Sequence, residues 1–273
     1  MDNDAMAPHG MADRRLEEVE ALACADLYRA APERVARDQG ISFREVAGVL
    51  LMRVEALPAG HMFNRAMGVG APGAHVATQV DEVGRFFDGQ EHMISLHPDA
   101  PEGTTARLAA HGYMDGYPWD KFRRGTDPPP AVQCDLPVRI ATPGDAGALG
   151  AVVSTVFHLP AFTGEWIAAV VGRPGWTFVV AEDGGTPVGA AGVHIAADSA
   201  WFGFGATLPE FRGRGVQGAF FAARIRVARE AGCTLLVTET GAPTDDGPGP
   251  SYRNMLRTGF QPAYRRANLR SAG

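Results

Sequence analysis

The sequence has almost no lysine, few cysteines and no long apolar run. One lysine, Lys121, stands beside 24 arginines. The bias toward arginine, alanine, glycine and proline is general along the chain, so a single arginine is weak evidence for a binding site. The three cysteines are far apart, which fits neither a disulfide framework nor a cysteine zinc cluster and favours a reducing, cytoplasmic setting.

Other absences narrow the function classes further. No stretch approaches the ~20 apolar residues of a membrane helix, and residues 1–11 show no apolar core of a secretion signal. The eight histidines include no His-Glu-x-x-His spacing, so no metal site is predicted. A net charge of −6 argues against nucleic acid or an anionic membrane as partner.

Length and charge distribution indicate two α/β domains in these 273 residues. The segment Gly125-Thr-Asp-Pro-Pro-Pro-Ala131 is typical of a linker, and we place domains at 1–130 and 136–273. Residues 1–135 hold 13 basic and 21 acidic side chains, a balance of −8, against 12 and 10 in residues 136–273, a balance of +2. A polyanionic ligand is therefore expected in the second half.

Periodicity predicts the elements of both halves. In the first half we expect helices over 13–30, 74–88 and 104–110 and strands over 46–54, 62–69 and 92–97. In the second half we expect helices over 145–157, 162–171, 216–231 and from Ser251, with strands over 138–140, 177–181, 188–195, 201–207, 233–237 and after Phe260.

The segment 201–219 predicts an anion cradle. An apolar strand stops at Pro209, and an Arg212-Gly-Arg-Gly215 turn leads directly into a helix. Free backbone amides at the positive end of a helix dipole suit a pyrophosphate.

This turn resembles the acyl-CoA signature Arg/Gln-x-x-Gly-x-Gly/Ala of the GNAT acetyltransferase superfamily, with Gln217 departing at the last place. The element order of the second half and the later Gly259-Phe260 agree with that resemblance. It implies an acyl-CoA N-acyltransferase fold that binds acetyl-CoA. The implied cofactor contacts are Ala206, Thr207, Leu208, Arg212, Gly213, Arg214, Gly215, Val216, Gln217, Gly218, Ser251 and Asn254; the last two would serve equally as helix caps.

The first half is interpreted as a diverged copy of the same unit, so the fold expectation is two tandem GNAT-like domains. Pro72-Gly73-Ala74-His75 stands where the second half has its Arg-Gly-Arg-Gly turn, so this copy should lack the CoA loop. An unrelated α/β domain is the alternative.

The resemblance implies direct transfer of an acetyl group to an amine, which requires a base and a fate for the leaving thiolate. Glu239, at the end of a strand, is the candidate base; the alternative is a structural salt bridge. The family's usual acid, a tyrosine, is replaced by Met255. Tyr252 is the substitute candidate, with packing under the last strand as its other role.

The function predicted is an acetyl-CoA-dependent N-acetyltransferase acting on a primary amine of a small molecule or peptide. The resemblance also implies a homodimer. The acidic first half favours a cationic acceptor. The alternative is a catalytically idle protein that binds acyl-CoA as a sensor or scaffold.

Overall fold

The computed structural model describes residues 14–57 and 62–271 and contains two mixed sheets with helices against them. The first half contains α1 (Arg15–Arg29), α2 (Glu33–Gln39), β1 (Ile41–Val46), β2 (Val49–Val54), β3 (Arg65–Val69), α3 (Val76–Phe87), β4 (Met93–Leu96), α4 (Thr104–Ala110), β5 (Met114–Asp115) and β6 (Trp119–Arg124). The second contains β7 (Val138–Ile140), α5 (Ala146–Val156), α6 (Ala161–Ala168), β8 (Trp176–Asp183), β9 (Thr186–Ala196), β10 (Ser199–Thr207), α7 (Val216–Glu230), β11 (Leu235–Gly241), α8 (Pro250–Arg257), β12 (Gln261–Arg266) and β13 (Asn268–Arg270).

The two sheets exchange one strand each. The seven-stranded sheet has the order β12-β6-β11-β10-β9-β8-β7, so β6 of the first half lies between two strands of the second. The six-stranded sheet has the order β1-β2-β3-β4-β13-β5, so the last strand of the chain completes the first half. A division at 130 and 136 follows the linker, but it does not anticipate this exchange. Long-range strand pairing leaves no signal in a local pattern.

The two halves repeat one order of elements. In each half, two helices are followed by three strands, a crossover helix, a parallel strand, another helix and two closing strands. The second half has β7 in addition, before its first helix. The parallel pairs are β3 with β4 and β10 with β11. Each pair is joined through a helix, α3 or α7, as a parallel connection requires.

Helix α1 fills the space between the halves. Its apolar side chains share one core with α5, α6 and the middle strands of the larger sheet. The helix was predicted, but the positions of two of its acids were not. Glu17 and Glu20 are 8% and 1% exposed. They lie one residue after Leu16 and Val19 and so belong to the buried stripe.

Some predicted elements are different in the structure. The strand expected over 46–54 is a hairpin in which Ala47 and Gly48, both with positive φ, connect β1 to β2. Such turns match the twist of the paired strands. The fifth strand of the second half begins at Leu235 and continues to Gly241, rather than spanning 233–237. Within the described ranges, no helix is both long and apolar enough to cross a membrane.

Helix α7 begins and ends within one residue of its predicted limits. Gly215 precedes its first residue with a left-handed φ of 79°, and Gly232 follows its end at 80°. One of its arginines does not face solvent. Arg224 is 2% exposed, and its guanidinium packs over the rings of Phe202 and Phe221.

Candidate active site

Strands β10 and β11 separate near the middle of the larger sheet. They pair in parallel only where Ser199–Trp201 faces Leu235–Val237. The register of β10 against β9 then shifts between Gly203 and Ala206, and Phe204 between them has a φ of 57°. This bulge turns β10 away while β11 continues along β6, which opens a gap between the two parallel strands.

A cavity of about 340 Å³ is centred on that gap and is lined by both halves of the chain. Nine of its 29 lining residues are aromatic. Its lining includes Gly205, Gln217 and three residues of α8, namely Ser251, Asn254 and Met255. Side chains from α1, β2 and α5 line it as well. The predicted contacts Ser251 and Asn254 are thus brought to the cavity, whereas Ala206 and Thr207 are buried in β10.

The turn before α7 forms the predicted cradle. Gly213 and Gly215 both have a φ of 79° and lead from a short 3-10 turn into the helix. Within the described chain, the amides from Gly213 to Gly218 donate to no backbone carbonyl. A row of free amides at a helix start is suited to bind an anion.

The two arginines of the turn are not aimed in the same direction. Arg212 donates from Nε to the carbonyl of Thr207 at 3.3 Å and so folds back on the turn. Arg214 makes only loose ion pairs of 3.9 Å with Asp135 and Asp183. Exposed pairs of this kind bind weakly, so the Arg214 guanidinium is available to an anion.

Gln217, the departure from the signature, has a definite contact. Its Nε2 donates to Thr207 Oγ1 at 2.9 Å, and the side chain lines the cavity. The Gln217 side chain therefore faces the cavity and does not point away from it. Gln217 connects the first turn of α7 to the end of β10 and borders the gap.

The linker between the halves packs against the cradle helix. A Cβ on Gly215 would lie 1.9 Å from the carbonyl oxygen of Gln133, and one on Gly218 would lie 2.8 Å from Val132. Asp135 N–H also donates to the Arg214 carbonyl at 3.2 Å. Glycine is required at 215 both by its φ and by this close approach.

Glu239 lies on β11 at the cavity wall, with its carboxylate held by two donors. Trp201 Nε1 donates to both carboxylate oxygens at 3.0 and 3.1 Å, and Lys121 Nζ donates to Oε2 at 3.2 Å. Trp201 comes from β10 and Lys121 from the exchanged strand β6. The two alternatives for Glu239 are thus not exclusive, because it forms an ion pair and also faces the cavity.

Behind Glu239 lies a buried ionic cluster of six side chains. Its members are Glu17, Glu20, Glu239, Arg65, Lys121 and Arg266. Glu20 is central: Arg65 and Arg266 approach it at 2.9 and 2.6 Å, and Lys121 also donates to it. Three carboxylates face three cations, so the cluster is balanced in charge, as burial demands.

The cluster separates the pKa values of two carboxyl groups that line the cavity. Burial alone would raise the pKa of Glu20, but Arg266, Lys121 and Arg65 lower it well below its usual value. Burial raises the pKa of Glu239, and the charge of Glu20 adds to that rise against the effect of Lys121. Carboxyl groups separated in this way are typical of acid–base sites, and Glu239 is the one suited to take a proton.

Tyr252 lies apart from this arrangement. Its ring packs edge-to-face on Phe122 with centroids 4.8 Å apart, and burial together with the charge of Asp120 raises the pKa of its hydroxyl. Among the described residues that line the cavity, Met255 is present and Tyr252 is not. The structure places Tyr252 in the packing role that was its alternative.

Arg224 is a cavity residue that the sequence did not reveal. Its guanidinium donates to the carbonyls of Gly192 and Gly203 at 3.1 and 3.3 Å, and it has no ion pair within the described residues. Burial lowers the pKa of Arg224 to about 9, so it stays charged at neutral pH. It supplies positive potential directly beneath the bulge of β10.

Comparison with known proteins finds a family match within the second half of the chain. Residues 154–247, which include the gap, the cradle and Glu239, match the Acetyltransferase (GNAT) family. Residues 154–247 are thus identified as a GNAT acetyltransferase domain. No curated protein matches the chain.

Solved structures extend the GNAT fold to the first half. A GCN5-related N-acetyltransferase from Kribbella flavida has a TM-score of 0.62 at 18% identity, and the alignment covers 97% of each chain. One from Sphaerobacter thermophilus has a TM-score of 0.61 at 19% identity over 93% of this chain and 90% of that one. A tandem GNAT protein from the clavulanic acid biosynthesis pathway gives 0.56 at 16% identity over 97% of both chains. The expected fold is confirmed.

The GNAT-like unit of the first half has no corresponding gap. Strands β3 and β4 stay paired to their ends, where His97 N–H donates to the Val69 carbonyl at 2.9 Å. The buried Gln79 of α3 accepts a hydrogen bond from Gly70 N–H at 2.8 Å and donates to the Ala47 carbonyl at 3.0 Å. Gln79 thus bonds to the strand end and to the neighbouring hairpin turn, at the place where the second half has its opening.

Proposed function

We propose that this protein transfers an acetyl group from acetyl-CoA to the primary amine of a small molecule, with the amine attacking directly while both are bound. The observation that supports it most is a single cavity that is centred on the strand gap and is lined by both Gln217 of the cradle helix and Glu239 of β11. The first half contributes a wall of this cavity, so we propose that the two halves act as one unit.

The residues present fit acetyl-CoA. The free amides of Gly213 to Gly218 and the loosely paired Arg214 would hold the pyrophosphate. The gap between β10 and β11 would admit the pantetheine arm, with Gln217, Ser251 and Asn254 as polar contacts along it. Acetyl-CoA supplies an acetyl thioester, whose carbon bonds to the amine nitrogen as the carbon–sulfur bond breaks.

In this proposal Glu239 receives the proton that the amine loses. Trp201 of β10 and Lys121 of β6 fix the direction of its carboxylate from the two strands that flank β11. A raised pKa brings a carboxylate nearer to the pKa of its proton donor and makes it a better base. Trp201 and Lys121 are positioning residues for Glu239.

Met255 stands where a tyrosine would give a proton to the leaving thiolate, and methionine has no proton to give. We therefore propose that the thiolate departs as an anion. The charge of Arg224, which is fixed under Gly203, makes the neighbouring cavity wall electropositive. Preorganised charge of this kind stabilises developing negative charge without rearrangement.

The experiment is calorimetric titration with acetyl-CoA of the protein and of a matched pair of variants, Gly213→Asp and Gly213→Asn. Gly213 has open space around its Cβ position, and asparagine and aspartate tolerate its left-handed φ. Gly215 is a poorer choice, because any side chain there would collide with the linker carbonyl of Gln133.

We expect acetyl-CoA to bind the parent protein and Gly213→Asn, and Gly213→Asp to bind at least about tenfold more weakly because its carboxylate repels the phosphates. Equal binding by both variants would contradict the cradle assignment. Binding followed by no turnover with any amine would favour the non-catalytic sensor alternative.

A further inference from the structure

Resting on the proposed function, we infer that the acceptor is a small primary amine on a single apolar body, aromatic or aliphatic, and not a polyamine or an aminoglycoside. The acidic composition of the first half suggested a cationic acceptor. In the structure, the acids at the site are already paired with buried cations. Three features of the cavity wall support an apolar acceptor instead.

The first feature is that the acids of the wall are already neutralised. Glu20 and Glu239 are the carboxylates that line the described cavity, and both belong to the balanced cluster with Arg65, Lys121 and Arg266. A second ammonium on the acceptor would thus meet no unpaired carboxylate here. Burying it without a partner is strongly unfavourable.

The second feature is the surface that the first half presents. Tyr28, Met52 and Phe63 line the cavity, and they belong to the core that α1 shares with the second half. Trp119 also lines it, but the ring of Trp119 already packs against two guanidinium groups, Arg65 at 5.6 Å and Arg266 at 5.8 Å. That ring therefore offers little attraction to a further cation.

The third feature is an apolar rim. Tyr117, Met62 and Phe157 line the cavity and are 53%, 43% and 42% exposed, so large apolar side chains stand in solvent at its mouth. Exposed apolar side chains grouped around a cavity mark a surface that binds an apolar partner. With the volume of about 340 Å³ shared between pantetheine arm and acceptor, a single ring or a short chain fits best.

The test is a kcat/KM series with acetyl-CoA and butylamine, pentylamine, hexylamine and 2-phenylethylamine. The matched comparison for pentylamine is 1,5-diaminopentane, which has the same five-carbon chain and carries a second ammonium group. We expect kcat/KM to rise about fourfold per methylene, as for apolar burial, and 1,5-diaminopentane to be at least tenfold poorer than pentylamine.

Two variants link the preference to the rim. Phe157→Ala should flatten the chain-length series and raise KM for 2-phenylethylamine severalfold. The control is Leu22→Ala, which removes an apolar side chain of α1 that is 53% exposed and does not line the described cavity, and it should leave the series unchanged. Quenching of tryptophan fluorescence by bound 2-phenylethylamine, from Trp119 and Trp201 in the wall, gives a readout that does not need turnover.

The outcomes separate the two proposals. Acetylation that favours 1,5-diaminopentane or spermidine, or a flat chain-length series, overturns the apolar acceptor and leaves acetyl transfer standing. Absence of acetylation for every amine, in protein that binds acetyl-CoA, overturns both.

Discussion

Replacing Lys121 with methionine should destabilise the protein severely, and more so at higher pH. Lys121 is fully buried, and its ammonium joins Glu20 to Glu239. Without it, the three carboxylates of the cluster would face only Arg65 and Arg266. Removing one partner from a buried ion pair costs about 3–5 kcal/mol of unfolding free energy, far more than the methionine side chain would recover.

The pH dependence follows from Glu239. Its pKa is already raised in the folded protein, and loss of the Lys121 charge would raise it further. A carboxyl group with a raised folded pKa contributes stability at low pH, and that contribution is lost as the pH rises through the folded pKa. At low pH Glu239 in the variant takes a proton and restores the balance of charge. The deficit of Lys121→Met relative to the parent should therefore be smaller at pH 5 than at pH 8.

The assay is urea unfolding followed by tryptophan fluorescence at both pH values. The double variant Lys121→Met, Glu239→Gln removes one charge of each sign and should recover most of the loss. Arg34→Met is the control, because it breaks an exposed pair with Glu165 and should cost less than about 1 kcal/mol. A Lys121→Met deficit below about 1 kcal/mol at pH 8, or one that the double variant does not reduce, would refute a charge-balanced cluster.

Three further results are expected. Glu239→Gln should lower kcat by a factor of about 10²–10⁴ and leave the affinity for acetyl-CoA unchanged. It should also remove the fall in kcat/KM toward acid pH, because the base that titrates is gone. Normal turnover across the pH range would exclude Glu239 as the base. Tyr252→Phe should keep near-parental kcat, since the Tyr252 ring packs on Phe122 and is not among the side chains that line the described cavity. A hundredfold loss of kcat would show that Tyr252 belongs to the active site. Gln79→Leu should lower the unfolding free energy by about 2–4 kcal/mol, because it leaves Gly70 N–H and the Ala47 carbonyl unpaired. The affinity for acetyl-CoA should not change. A variant as stable in urea as the parent would contradict this structural role of Gln79.

The sequence was most informative where chemistry depends on neighbours along the chain. The Arg212–Gly215 turn, the strand before it and the helix after it stand together in 19 residues, so the cradle and the start of α7 could be predicted from local rules. Those rules are the φ freedom of glycine and the unpaired amides of a helix start. The sequence showed one lysine among 24 arginines but not its role. In the structure this lysine is the residue whose ammonium lies between two buried carboxylates.

The rest of the site depends on tertiary structure because its parts come from distant segments. The cluster unites α1, β3, β6, β11 and β12, and two of its members, Lys121 and Arg266, lie on strands of the larger sheet that come from opposite halves of the chain. Local patterns show that Glu17 and Glu20 lie on a helix, but only the strand exchange places cations against them. The sequence by itself determined the fold class and the glycine turn with its free amides at the start of α7. The tertiary structure decided how Glu239 is held, that Tyr252 packs on Phe122, and which side chains line the cavity, because buried charges must be balanced across long separations in the chain.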